Sequence, residues 1–300
     1  MTSKLDPSVA PDTSQGPALL AVTAIFLFLA LLCYTARMYV RIRVLHYPWW
    51  DDWIISVATL CAIVEWALVA AAVQHGFGRP HVDLSPAAIH AIERLVFFFI
   101  FMWGWAVTLV KISVSLMMLR IKNATPWRIC LGILIAVQAL AQTLNIVVSF
   151  LQCRPYYALW NPEITGAHCW SVVVRDAVVF TLSAIFVASD IICSLLPLWF
   201  IYQVPRPLFE KITFVALTSL GLLASAAALA KVVLLARVSS SDGGMWTEVS
   251  PVDLSVWTNV EECLGIAAAS IPVLKPMLDR VLGRLGVRPQ AYGARELRGT

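Results

Sequence analysis

Seven stretches of this chain are apolar for 18 residues or more, and that feature leaves it few ways to fold. They run approximately over 18–40, 53–74, 91–119, 127–151, 172–200, 211–236 and 254–278. About 20 apolar residues at 1.5 Å rise cross the hydrocarbon of a bilayer. Inside it, backbone polar groups must be satisfied within each segment, which a helix does and an open strand does not. The expected fold is therefore all-α, a seven-transmembrane helix bundle. Turn chemistry or charge closes each run, as in "HYPWWDD", "GRPHVDLSP", "NATPW", "CRPYY", "QVPRP" and "SSSDGG". Charged residues make up 13% of the chain, about half the share of a soluble domain, so the solvent for most of it is lipid.

Orientation follows from the placement of Lys and Arg, which favour the cytoplasmic side. With the amino terminus outside, fifteen of them fall on the inner side, among them Arg37, Arg41, Arg43, Lys111, Arg120 and Arg284, against six on the outer side. The expected layout is a short extracytoplasmic leader (1–17), a membrane domain (18–278) and a basic cytoplasmic tail (279–300). No cleavable signal is expected, because the leader carries one Lys against two Asp and the first apolar run is too long for a signal core. The net charge of +4 is thus a topology signal, and no nucleic-acid partner is inferred from it. The tail's Arg280, Arg284 and Arg288, four apart, suit a short amphipathic helix on the inner surface. The protein is expected to be a multi-pass integral protein of the plasma membrane or an endomembrane.

Five cysteines lie within apolar runs, where a small filler is the default. Cys153 and Cys169 instead flank one outer loop on the oxidising side, where a disulfide is expected over two free thiols. His75, His81 and Asp83 share the loop "HGFGRPHVD". Three such residues in one loop satisfy a metal count only loosely, so no metal is expected and a polar lid is preferred. Phosphate-cradling, Gly-x-Ser-x-Gly, His-Glu-x-x-His and Cys-x-x-Cys patterns are missing. A retinal protein needs a lysine midway along its last helix, where this chain has only Lys275 near the inner end. No retinal or other cofactor is expected.

Ionisable groups inside a bilayer cost several kcal/mol unless paired or hydrated, which makes each a functional candidate. Helix rise places Glu65, Arg94, Gln142, Asn145, Lys231, Glu261 and Glu262 in one slab beneath the outer loops. Of these, Glu65, Arg94, Asn145, Lys231 and Glu261 are the candidate ligand pocket, open outward, with Lys231 or Arg94 neutralising a glutamate. Glu261 and Glu262 point about 100° apart, so they cannot both face one partner. Deeper on the inner side, Asp51, Lys111 and Asp190 are candidates for structural ion pairs. Arg41, Arg43 and Asp52 read as a helix-end anchor beside lipid headgroups.

The ordered segments "ARMYVRIRVLHYPWWDDW", "HGFGRPH", "VKISVSLMMLRI", "LQCRPYYALWNPEITGAHC", "ASDIICSLLPLWFI" and "VWTNVEECLGIAAASIPVLKPML" resemble the fungal rhodopsin-like integral membrane family that includes the satratoxin-cluster membrane protein. The resemblance covers roughly residues 20–280. It implies a seven-helix fungal protein, receptor-like or encoded with secondary-metabolite genes. By motif position Asp51, Asp52, Lys111, Cys153, Trp160, Cys169, Asp190 and Glu261 fall on family-typical residues, and this match makes Glu261 the expected inward acid.

Two functions fit. One is a receptor-like or accessory protein of fungal secondary metabolism that binds a small lipophilic metabolite, with its signalling partner unspecified. The other is a membrane-embedded cyclase or isomerase in which Glu65, Glu261, Glu262 or Asp190 donates a proton, since a carboxylic acid in an apolar site resists ionisation. A transporter is the weaker third reading, because neither inverted repeats nor broken midplane helices are seen.

Overall fold

The computed structural model describes residues 15–47, 49–79, 84–121, 125–160, 166–203 and 251–284. The sixth apolar run with Lys231, most of the leader, the end of the tail, His81, Asp83 and Asn123 lie outside the described residues, as do the side chains of Asp190 and Lys275.

Long helices dominate. They are α1 (Gly16–Tyr39), α2 (Trp50–Gln74), α3 (Pro86–Ile121), α4 (Thr125–Leu151), α5 (Val172–Gln203) and α6 (Pro251–Arg284). Helix α1 runs on through a wider π turn, Val40–Leu45, and stops where His46 turns left-handed at φ 54°. Five stretches among the described residues are long and apolar enough to cross a membrane: Gly16–Leu45, Trp50–Gln74, Pro86–Arg120, Thr125–Leu151 and Val173–Cys193.

The helix starts have local causes. Ser85 caps α3 by accepting the Ala88 N–H at 3.3 Å, and proline stands at the first position of α3 and α6, where its missing N–H costs nothing. Asp52 reaches back to accept the Trp49 N–H at 3.1 Å and so closes the start of α2. After α2 the chain turns through Gly76 and Gly78, whose φ of 102° and 94° suit glycine alone. The Gly78 carbonyl then accepts the N–H of Gln15 at 3.2 Å, tying the entry of α1 to the exit of α2.

Between α4 and α5 the loop closes on itself. Cys153 and Cys169 pair in a short antiparallel ladder and are joined by a disulfide. The Trp170 N–H continues the ladder onto the Gln152 carbonyl at 2.9 Å. Below it lies a set of edge-on and tilted rings, Phe97 and Phe101 of α3 with Phe150 of α4 and Tyr156 and Trp160 of the loop. His90 donates from Nδ1 to the Trp160 carbonyl at 2.6 Å. The loop is thus nailed to α3 as well as to its own two ends.

Packing is by neighbours plus one long-range pairing: α2 lies along α3, α3 touches α4, α4 touches α5, and α1 lies along α6, which also meets α2 and α3. The central core is made by Leu27 and Ala30 of α1, Ile55, Ala58 and Ala62 of α2, Val110 of α3, and Cys263, Ile266 and Ala269 of α6. Small residues dominate it, which is how helices approach closely where lipid supplies no hydrophobic drive.

Candidate functional site

Two clusters of charge lie inside this bundle, at different heights. The first is at the end opposite the disulfide. Arg37 and Arg41 are one turn apart on α1, so both face the start of α2 across the intervening reversal. Arg37 Nη2 lies 2.7 Å from Asp51 and 2.9 Å from Asp52. Arg41 repeats the pattern at 3.0 Å and 3.1 Å. Arg37 Nη1 also donates to the backbone carbonyl of Ala269 on α6 at 2.7 Å, and Ser113 of α3 donates to the Asp51 carbonyl at 2.8 Å. All four charged side chains are buried. Two positive and two negative groups neutralise one another, and four helices meet on them.

This corrects the reading of Arg41 and Asp52 as a headgroup anchor. They are interior residues, because the stripe Thr23, Leu27, Ala30, Arg37, Arg41 turns one face of α1 into the core. It also gives Asp51 partners that were not expected, the two arginines of α1. Lys111 is half-buried on α3.

The second cluster lies between α2 and α6, in the half of the bundle nearer the disulfide. Glu65 and Glu262 meet there side chain to side chain, and only 0% and 2% of their surface is exposed. Both carboxyl oxygens of Glu65 and Oε1 of Glu262 are buried without a hydrogen-bond partner of regular geometry. Cys61, one turn before Glu65, and Cys263 stand beside the pair. Glu261, expected to face inward, is only half-buried. The physical reason is the phase of α6. Its buried residues Ser255, Asn259, Glu262, Ile266, Ala269 and Val273 recur every three or four positions, and that stripe passes through Glu262.

Of the remaining expected pocket residues, Lys231 lies outside the described residues. Arg94 is exposed on α3 and Asn145 is half-buried on α4, whereas Glu65 is in the centre. Gln142 joins the interior instead: it packs against Gly104 of α3, and its Nε2 is buried without a partner. Glu65, Gln142 and Glu262 lie about nine to eleven residues from the disulfide end of their helices, roughly 13–17 Å along the axis. Among the described residues, no group of three or more His, Cys, Asp or Glu side chains is placed to hold a metal ion.

Chemically, the first cluster is a saturated ionic clamp whose only open acceptor is Asp51 Oδ1. The second has unused acceptors and two acids in contact, with the unused donor Gln142 Nε2 at a similar depth on α4, which suits ligand recognition or proton transfer.

The fungal rhodopsin domain matches residues 36–280. A protein described as "Fugralins biosynthesis cluster protein 2", from Gibberella zeae, is 25% identical over 142 residues, which is 47% of this chain and 34% of the relative's own length. No solved structure matches. The domain match begins in the last turns of α1, ends within α6 and takes in both charged clusters, so the chain belongs to the fungal rhodopsin domain family.

Proposed function

We propose that this chain is a seven-helix membrane protein of fungal secondary metabolism, receptor-like or accessory, that binds a small lipophilic molecule. In this reading the run at 211–236 supplies the missing span, the amino terminus is outside, and the basic tail is in the cytosol. The observation that carries ligand binding is a slab of buried polar atoms without a regular hydrogen-bond partner, Glu65 Oε1 and Oε2, Gln142 Nε2 and Glu262 Oε1. A buried polar group left unpaired costs about 1–3 kcal/mol, so a ligand offering complementary groups there would recover that loss on binding. The metabolic assignment is supported by family membership and by the relative's description as a biosynthesis cluster protein. The family's name invites a retinal, and our reading is against one: the middle of α6 carries acids and small residues where a Schiff-base lysine would stand.

A second reading, a membrane-embedded cyclase or isomerase, is favoured by one feature, the direct apposition of two acids. Metabolite profiling separates the two. The gene is deleted and complemented with wild type, Glu65→Gln or Glu262→Gln. Under the binding reading no single precursor accumulates, and the purified wild-type protein carries a lipophilic metabolite detectable by mass spectrometry that Gln142→Leu loses. One defined precursor, cleared by wild type and by neither Gln variant, would replace that reading with the enzymatic one.

A further inference from the structure

The Glu65–Glu262 contact poses a problem that the described residues around it do not solve. Two carboxylates side by side repel one another, and in a low-dielectric interior the repulsion is far stronger than in water. The titratable groups facing the pair among the described residues are Cys61 of α2 and Cys263 of α6, neither of which is cationic. From α1 and α3 the neighbouring core presents Leu27, Ala30 and Val110. No cation is therefore contributed by the helices described around it. A metal ion would require more ligands than the two acids supply, and no such set is present among the described residues.

We propose that Glu65 and Glu262 form a single proton-sharing site, in which one acidic hydrogen bridges the two carboxyl groups and fastens α2 to α6. The protonated acid donates its O–H to the carboxylate oxygen of its partner. The bridge removes one of the two like charges, spreads the other over both groups, and gives a partner to oxygens that otherwise have none. Apposed acids sharing one proton are a general solution to this juxtaposition. Here the arrangement links proton occupancy to the spacing of two helices that both take part in the central core. The bridging hydrogen is also a carboxylic proton held at the depth of Gln142 Nε2, which lacks a partner. The inference stands on the apposition and burial of the pair, and it holds whether a bound metabolite is sensed or transformed.

Infrared spectroscopy of the full chain in lipid nanodiscs tests it. At neutral pH the wild type should show a carbonyl stretch of a protonated carboxylic acid that moves to lower frequency in D2O. Both Glu65→Gln and Glu262→Gln should displace or abolish that band, while Glu261→Gln leaves it in place. Other protonated acids of the chain cancel in the difference between variants. If either single variant fails to fold, the double Glu65→Gln/Glu262→Gln protein, which keeps two neutral hydrogen-bonding groups of the same shape, serves in its place and should lack the band. Two outcomes overturn the proposal. In one, neither substitution changes the acid region, so both groups are ionised. In the other, only one of the two substitutions does, so the acids titrate separately. Neither outcome bears on whether the protein carries a metabolite, which the extraction experiment decides.

Discussion

Arg37 donates to Asp51, Asp52 and the Ala269 carbonyl at once, with distances of 2.7–3.0 Å. No shorter or single-headed side chain reproduces that fork. Removing one member of a buried ionic cluster leaves the others uncompensated, at a cost of about 3–5 kcal/mol. Arg37→Ala should therefore abolish recovery of monodisperse protein in detergent. Arg37→Lys, which keeps the charge but one nitrogen only, should fold with a clearly lowered melting temperature by fluorescence-detected gel filtration. The partnership was hidden in the sequence because Arg37 looked like one of many inner-side cations. The usable signal was its spacing from Arg41, four residues on, with two acids opening the next helix. That Glu262 and not Glu261 faces inward was hidden for a related reason. In a segment apolar almost all round, composition does not reveal which way a helix faces, but the small and polar positions Ser255, Asn259, Glu262 and Ser270 mark the buried stripe of α6.

The helices themselves were readable almost to their ends. The run expected at 53–74 is Trp50–Gln74, and the one at 127–151 is Thr125–Leu151. Where the structure extends further, as for α3 and α6, polar caps and prolines carry helix beyond the apolar stretch that hydropathy detects. The closure of the α4–α5 loop was equally legible, since two cysteines flanking an outer segment have an obvious partner in each other. What hydropathy does not encode is how closely helices approach. At Gly265 of α6 a Cβ would sit 3.5 Å from Val110 of α3, an ordinary contact. Gly265→Ala should therefore be tolerated. Gly265→Leu should force α3 and α6 apart, with a loss of about 1–3 kcal/mol visible as a lower midpoint in thermal denaturation of the purified protein.

For the molecule as a whole, the mostly helical build with several apolar spans followed from apolar run length, whereas the site did not, because it arises where helices remote in sequence meet. Orientation makes a clean prediction. Glycosylation acceptors placed in the leader or in the 153–169 loop should be modified when the protein is made with microsomal membranes. The native Asn123 triplet and acceptors in the tail should remain bare. A glycan on Asn123 would reverse the proposed topology.

The pairing of α1 with α6 also imposes an order on biosynthesis. Helix α1 leaves the ribosome some two hundred residues before α6, and until α6 arrives the guanidinium of Arg37 lacks its Ala269 acceptor and Glu65 lacks Glu262. A nascent chain is therefore expected to carry its first segment unsealed until α6 is made. Chains truncated before Pro251 should be held and degraded by membrane quality control. A cycloheximide chase would show them disappearing several-fold faster than the full chain, and co-expression of a separate fragment bearing α6 should slow that loss by completing the seam in trans.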